Sequence, residues 1–304
     1  MLNARVAGDL GFNGATLTAT GRALSLDKVA VEGNVSLAKW SHPDGSVTVF
    51  HSDGSVNLPG AQIRGDLDCD GADLAATGIS LNLATAQIRG HVYLRNGFKS
   101  RGQLHLHSAD IGNSIDLSGA TLTEAVIAVM LQEATVRGTI SICEGFASFG
   151  RVDVQSAQIG GNLVCDQCKL SLLYCANMTL KGDLQWTGIR DPKSTSLCLN
   201  GATIKNLRDE RESWPIPGGL HLDGLTYEEL TLHSARTEVN RQKNELGPEH
   251  PLKVRDRVEW LLLQPPTLEF ALSVNRRGQQ ESKSKTYLGT IHAYRLWFSF
   301  GQTP

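Results

Sequence analysis

Apolar and polar residues alternate in short stretches along the first two-thirds of the chain, and the stretches recur. In Ala61-Ile63-Gly65-Leu67-Cys69 every second position is small or apolar, while Arg64, Asp66 and Asp68 lie between them. A period of two marks a strand with one covered face. The same spacing returns as Ala4-Val6-Gly8-Leu10-Phe12, Val29-Val31-Gly33-Val35-Leu37, Ala86-Ile88-Gly90-Val92-Leu94 and Ala109-Ile111-Asn113-Ile115-Leu117. Three further copies are Ala134-Val136-Gly138-Ile140-Ile142, Ala157-Ile159-Gly161-Leu163-Cys165 and Met178-Leu180-Gly182-Leu184-Trp186. Central positions 65, 90, 113, 138 and 161 are 25, 23, 25 and 23 residues apart, so two steps always make 48. That longer period holds residue by residue. Ile79, Leu81 and Leu83 correspond to Ile127, Val129 and Leu131, and Gly97-Phe98 and Gly102 to Gly145-Phe146 and Gly150.

One-faced strands about 24 residues apart predict a mainly β protein, a parallel β-helix whose coils hydrogen-bond at about 4.8 Å. Right-handedness is expected from the chirality of parallel crossovers. The mid-motif glycine is expected to face inward and let the chain bend. A leucine-rich-repeat horseshoe would need an asparagine ladder and a helix in each repeat, and neither is seen.

The step from 33 to 65 is 32 residues, with the excess assigned to Ser41-His42-Pro43-Asp44-Gly45 and His51-Ser52-Asp53-Gly54. Both read as corner turns, either a recognition loop or a tolerated insertion. Arg208-Asp209-Glu210-Arg211-Glu212 reads as a solvated loop, and Leu220 to Gly224 as a last strand. Val254, Val258, Leu261 and Leu262 share one helical face that ends at Gln264-Pro265-Pro266, and a second helical stretch is expected from Thr267 to about Leu296. The expected division is a β-helix over 1–235 and a helical cap and tail over 236–304. Met1 stands three residues before a repeat motif, so the first coil is expected to need a partner or a second copy on its open edge, or to follow a missing segment.

Composition narrows the function classes. The 304 residues carry 29 Lys and Arg against 31 Asp and Glu, a net charge of −2, which argues against a nucleic-acid binder. No apolar run approaches the roughly 18 residues of a spanning helix. The first residues lack the basic and apolar regions of a signal peptide. Six cysteines are too few for a disulfide framework in a chain of this length, which suggests a reducing cytoplasm.

The repeats Ala61-Gln62-Ile63-Arg64-Gly65-Asp66-Leu67, the Asn96-Gly97-Phe98 corner, the segment from Ser213-Trp214-Pro215 to Leu222-Asp223-Gly224, and the tail Arg257-Val258-Glu259-Trp260-Leu261 with Gln264-Pro265 together resemble an uncharacterised bacterial β-helix repeat family often labelled membrane-associated oxidoreductase. The resemblance covers nearly the whole chain and implies the solenoid fold. It carries no catalytic residue, and the stretch after Phe270 departs from the family's more hydrophobic, basic ending.

Candidate chemistry is sparse. No G-x-G-x-x-G follows a strand and no P-loop is present, so no cofactor is expected. Cys165-Asp166-Gln167-Cys168 has the spacing of a zinc or redox pair, with Cys175 and Cys198 as the further thiols nearby. Register gives the alternative: Cys165 shares its slot with Cys69 and Leu117 and Cys168 aligns with Ala72 and Ala120, so both read as core, while Cys175 is assigned the slot of Ile127. Asp66, Asp68, Asp70 and Asp116, with Asp9, Asp183, Asn34 and Asn162 at the Gly-Asp-Leu position, form columns that would suit a cation or sugar hydroxyl, or simply a solvated face. His105 and His107, near His91, read as exposed strand residues, since Asp153 and Gln155 follow one period on. Trp297, Phe298 and Phe300 beside Arg295, Arg276, Arg277, Lys283 and Lys285 would suit peripheral membrane contact or packing on the cap.

The expectation is a non-catalytic scaffold or interaction module with a protein partner. It is expected to be cytoplasmic or peripheral to the membrane. The alternatives are the redox activity the resemblance implies, or carbohydrate binding or processing.

Overall fold

The computed structural model describes residues 2–233, 249–250 and 254–265. Short parallel strands stack into a β-solenoid of about ten coils. A regular coil carries four strands, as at Gln62–Ile63, Leu67–Asp68, Asp73–Leu74 and Ile79–Asn82. Each stacks on its equivalents above and below, which defines four walls. Gln62 pairs with Ala30 and Gln87 in wall one, and Leu67 with Val35 and Val92 in wall two. Asp73 pairs with His51 and Lys99 in wall three, and Leu81 with Val56 and Leu104 in wall four. The alternation seen in the sequence is the alternation of faces. Ile63, Ile88 and Ile111 stack inward from wall one, Leu67, Val92 and Ile115 from wall two, and all are fully buried. Each such side chain contributes about 1.5–3 kcal/mol by leaving water.

The period of two coils has a packing cause. At the corner between walls two and three the inward positions in successive coils are Phe50, Ala72, Phe98, Ala120, Phe146 and Cys168, linked carbonyl to N–H through the residue that follows each. The corner is filled to close packing by setting a large ring and a small side chain in alternate coils, so each Phe is roofed and floored by a small residue. Wall three compensates. The Ala coils place Leu74 and Leu122 inward, and the Phe coils place Ser52, Ser100 and Ser148 there. Each of these serines donates its hydroxyl to a glycine carbonyl two residues on, at 2.8–2.9 Å, which makes the next corner tight. Phe coils therefore run shorter than Ala coils, and the steps alternate between 23 and 25 residues.

The mid-motif glycine sits at the bend between walls one and two rather than within a strand. One residue later a side-chain oxygen reaches up to the next coil's backbone. Asp9 accepts the N–H of Asn34 at 2.7 Å, Asn34 that of Asp66 at 2.8 Å, and Asp66 that of His91 at 2.7 Å. Ser114, Thr139 and Asn162 continue the ladder to Thr139, Asn162 and Asp183 at 3.0, 3.2 and 2.9 Å. A Cβ on Gly33, Gly65, Gly90 or Gly182 would collide with the ladder oxygen beneath it. His91 sends no oxygen upward, and the bend above it holds Asn113 where its neighbours hold glycine.

Several expectations are corrected. His51–Ser52 is a regular wall-three strand, so the insertion is the first segment alone, a hairpin pairing Trp40–Ser41 with Val47–Thr48. The charge run is not a solvated loop. Thr203–Glu210 is a strand with Asp209 and Glu210 buried, because register with Trp186 carries Asp209 into an inward slot. Only Arg211–Ser213 leaves the strand, as a single helical turn. The solenoid continues past the last expected strand to Thr226–His233.

Within the region expected to be a helical cap, Glu249–His250 instead adds an antiparallel strand to Leu232–His233. Helix α1, Val254–Leu261, follows. Arg257, Trp260 and Leu261 are its buried residues, whereas Leu262 lies beyond its end and is exposed. The expected second helical stretch and the aromatic and basic tail lie outside the described residues, as does most of the segment around the expected boundary at 235. In the first coil Val6, Leu10 and Phe12 are half-buried where their equivalents above are fully buried.

Candidate functional site

Wall one carries a groove of about 580 Å³ on its outer face, running from the first coil to the sixth. Its floor is the outward column Ala30, Gln62, Gln87 and Asp110, joined in register. Two residues further on, Glu32, Arg64, Arg89 and Arg137 form one rim, with Gly112 leaving a gap before Arg137, and Arg5 closes the first end. Alternation alone turns these side chains outward, and stacking aligns them along the axis.

Most of the rim charges are engaged. Glu32 accepts Arg5 at 2.8 Å and Arg64 at 2.6 Å. Arg137 leans back across the gap to fork onto Asp110 at 2.5 and 3.1 Å, and that carboxylate raises the guanidinium's pKa. Between these clusters Arg89 makes no ion pair, and the amides of Gln62 and Gln87 hold no side-chain hydrogen bond among the described residues. Four guanidiniums against two carboxylates leave the groove with a formal charge of +2 on a chain whose total is −2. Alternation in the sequence turns Arg64 outward, but it does not by itself bring these residues together. The available signal was Gln-Ile-Arg-Gly, which occurs at both 62–65 and 87–90.

The thiols are wall material. Cys165 pairs in register with Ile142 and Trp186 inside wall two, in the column that also holds Cys69, Leu94 and Leu117. Cys168 occupies the Phe/Ala corner, and the two thiols hydrogen-bond each other. That bond, followed by burial, raises the Cys165 pKa well above a free thiol's. Cys175 does not take the slot of Ile127. The coil beneath it is shorter, and it stands over Val154 and Leu131, with burial raising its pKa. Cys198 follows Tyr174 in wall four and is also buried. Among the described residues no group of three or more His, Cys, Asp or Glu side chains is arranged to hold a metal ion.

The acidic residues divide in two. Asp66, with Asp9, Asn34 and Asn162, serves the bend ladder. Asp68, Tyr93 and Asp116 adjoin in register on the outer face of wall two. Arg95 lies over the Tyr93 ring, 4.2 Å from its centroid, and reaches Asp70 at 3.0 Å and Asp116 at 3.3 Å. His91 stacks on the same ring, with centroids 5.2 Å apart. Burial raises the Asp68 pKa, and its carboxylate accepts the N–H of Asp70 at 2.9 Å. Asp70 and Asp116 share the one guanidinium of Arg95, so with Asp68 this group keeps a formal charge of −2.

His105 and His107 are half-buried rather than exposed, because wall four stacks His105 between Asn82 and Met130. Their rings lie 6.3 Å apart, and burial, then His107, lowers the His105 pKa. Asp153 follows one coil beyond Met130, fully buried and paired with Arg151 at 2.8 Å.

The fold and this face together define a parallel β-solenoid with a polar external groove. Comparison of the chain with protein-family models, with curated proteins and with solved structures returns no match. No described helix is long and apolar enough to cross a membrane.

Proposed function

We propose that this protein is a non-catalytic binding module, a rigid solenoid that holds an extended ligand along the outer face of wall one. The carrying observation is the centre of the groove, where the side chains of Gln62, Gln87 and Arg89 have no partner among the described residues and lie between rim charges that are already paired. A polar groove preformed on a stacked sheet loses little conformational freedom when it binds, which favours recognition. Redox exchange through the cysteines is disfavoured, because the reactive species is the thiolate and burial opposes it at Cys69, Cys165 and Cys175. A reducing cytoplasm suits six free thiols.

The test is an array of glycans, acidic peptides, oligonucleotides and liposomes, with mass spectrometry of the recovered ligand. Saturable binding that Gln87→Trp abolishes by filling the groove, with the ligand returned intact, is the expected result. Binding to no class, binding indifferent to Gln87→Trp, or recovery of a chemically altered ligand would overturn the reading.

A further inference from the structure

We infer that the ligand of this groove is a uronic-acid-containing oligosaccharide, its carboxylate taken by Arg89 and its hydroxyls by Gln62 and Gln87. The inference rests on the binding-module reading and adds the ligand's chemistry. A guanidinium fork matches the two oxygens of a carboxylate, and among the described residues Arg89 is the one guanidinium of the groove without an ion pair. Side-chain amides both donate and accept, which suits hydroxyl groups that do the same. Gln62 and Gln87 occupy adjacent coils in direct register, so the amides repeat at about 4.8 Å, comparable to the length of one pyranose unit.

Charge density separates this class from other polyanions. The groove's formal +2 is spread over five coil steps, on the order of 24 Å, and Glu32 and Asp110 lie within it. A nucleic acid carries a phosphate at every nucleotide and would meet those carboxylates repeatedly. An oligosaccharide with one carboxylate among several hydroxyls would not. Neutral sugars favour aromatic platforms, and the outward residues of wall one in the groove (Arg5, Ala30, Gln62, Gln87 and Asp110) include no aromatic ring. The volume of about 580 Å³ lies within the range of small-ligand sites.

Calorimetric titration of the full chain with an aldotetraouronic acid (one glucuronate on a xylotriose), its methyl ester, xylotetraose, poly-L-glutamate and oligothymidylate tests the inference. The aldotetraouronic acid should bind, and esterification or Arg89→Gln should weaken it by about tenfold or more, since each removes a charge-assisted fork. Arg89→Lys should retain part of the affinity, because the charge stays while the fork is lost. Arg190→Gln, outside the groove, should leave affinity unchanged. Absence of binding by the aldotetraouronic acid, or binding insensitive to Arg89→Gln or to esterification, would overturn the inference. Should poly-L-glutamate or oligothymidylate bind more tightly and respond to Gln87→Trp, the carbohydrate assignment fails while the binding module stands. If no probe binds and the wider array is silent, both fail together.

Discussion

The guanidinium of Arg257 in α1 forks onto the carboxylate of Asp209 in the solenoid, both nitrogen–oxygen distances being 2.6 Å, with side chains 1% and 2% exposed. Asp209 also accepts the indole N–H of Trp214 at 3.0 Å, and Arg257 donates to the carbonyl of Thr231 at 3.3 Å. Asp209 occupies the inward slot that Trp186 fills one coil earlier and Leu232 one coil later, so an ion pair interrupts the apolar column. Removing one partner strands a buried charge and should cost about 3–5 kcal/mol. In urea titrations Arg257→Leu and Asp209→Leu should each show that loss, and the double variant should lose less than either. Additive losses would mean that the pair is not coupled.

Phe98 is roofed by Ala120 and floored by Ala72, and all three are fully buried. Phe98→Ala should cost about 3–5 kcal/mol by leaving a cavity the stacked coils cannot close. Ala72→Phe should destabilise by overpacking, since it sets three rings in succession. The pair Ala72→Phe with Phe98→Ala should lose more than a simple exchange of volumes implies, because the new ring at 72 would adjoin Phe50 and leave two alanines together at 98 and 120. Thermal melts of the three variants order these losses, and a native-like Ala72→Phe would discard the packing account.

At the bend ladder, Gly90→Ala should destabilise by about 1–3 kcal/mol through overpacking against Asp66 and Gly65. Asp66→Ala should cost about 1 kcal/mol by leaving the N–H of His91 without its acceptor. A double-mutant cycle should show that the two costs are not additive, because the carboxylate is the nearest atom a new Cβ would meet. Strict additivity would separate the glycine from the ladder.

Burial, then the neighbouring His107, holds the His105 imidazole below its ordinary value of 6.5. The folded state therefore takes up this proton less readily than the unfolded state, so the stability is complete above about pH 6.5 and falls as the pH drops through that value. Between about pH 7.5 and pH 5.5 the wild-type Tm should fall further than that of His105→Asn. Asp68, raised by burial, acts in the opposite sense but in the more acidic carboxylate range. Parallel Tm curves would dismiss the histidine.

The thiols should be inert in the native state. Burial pushes Cys143, the least covered, up to about 12, and Cys69 and Cys175 are raised by the same cause. Ellman's reagent at pH 8 should react far more slowly with native protein than after urea unfolding, when all six cysteines respond. Rapid native labelling of Cys165 would contradict its place in the wall.

What could be read from the chain without coordinates was the repeat, since a one-faced strand writes its period into every second residue. Register also located Cys165 and Cys168, because their coils follow the regular steps. It failed at Cys175, where a shorter coil shifts the alignment, and at Asp209, where a charge occupies a slot that every earlier coil fills with an apolar residue. The partner that makes Asp209 tolerable, Arg257, lies 48 residues further along and shares no strand with it. The groove was hard to see for a different reason. Outward residues are chosen independently in each coil, and only stacking shows that Gln62, Gln87 and Arg89 are neighbours.

Alternation of Phe and Ala in one corner gives the solenoid a parity. Excising a single coil, such as residues 62–86, would bring Phe50 directly beneath Phe98, whereas removing two adjacent coils restores a large-on-small contact at the splice. Proteins built on this plan should therefore lengthen or shorten by pairs of coils. Related chains that differ by one coil should show a compensating change from Phe to a small residue at the junction.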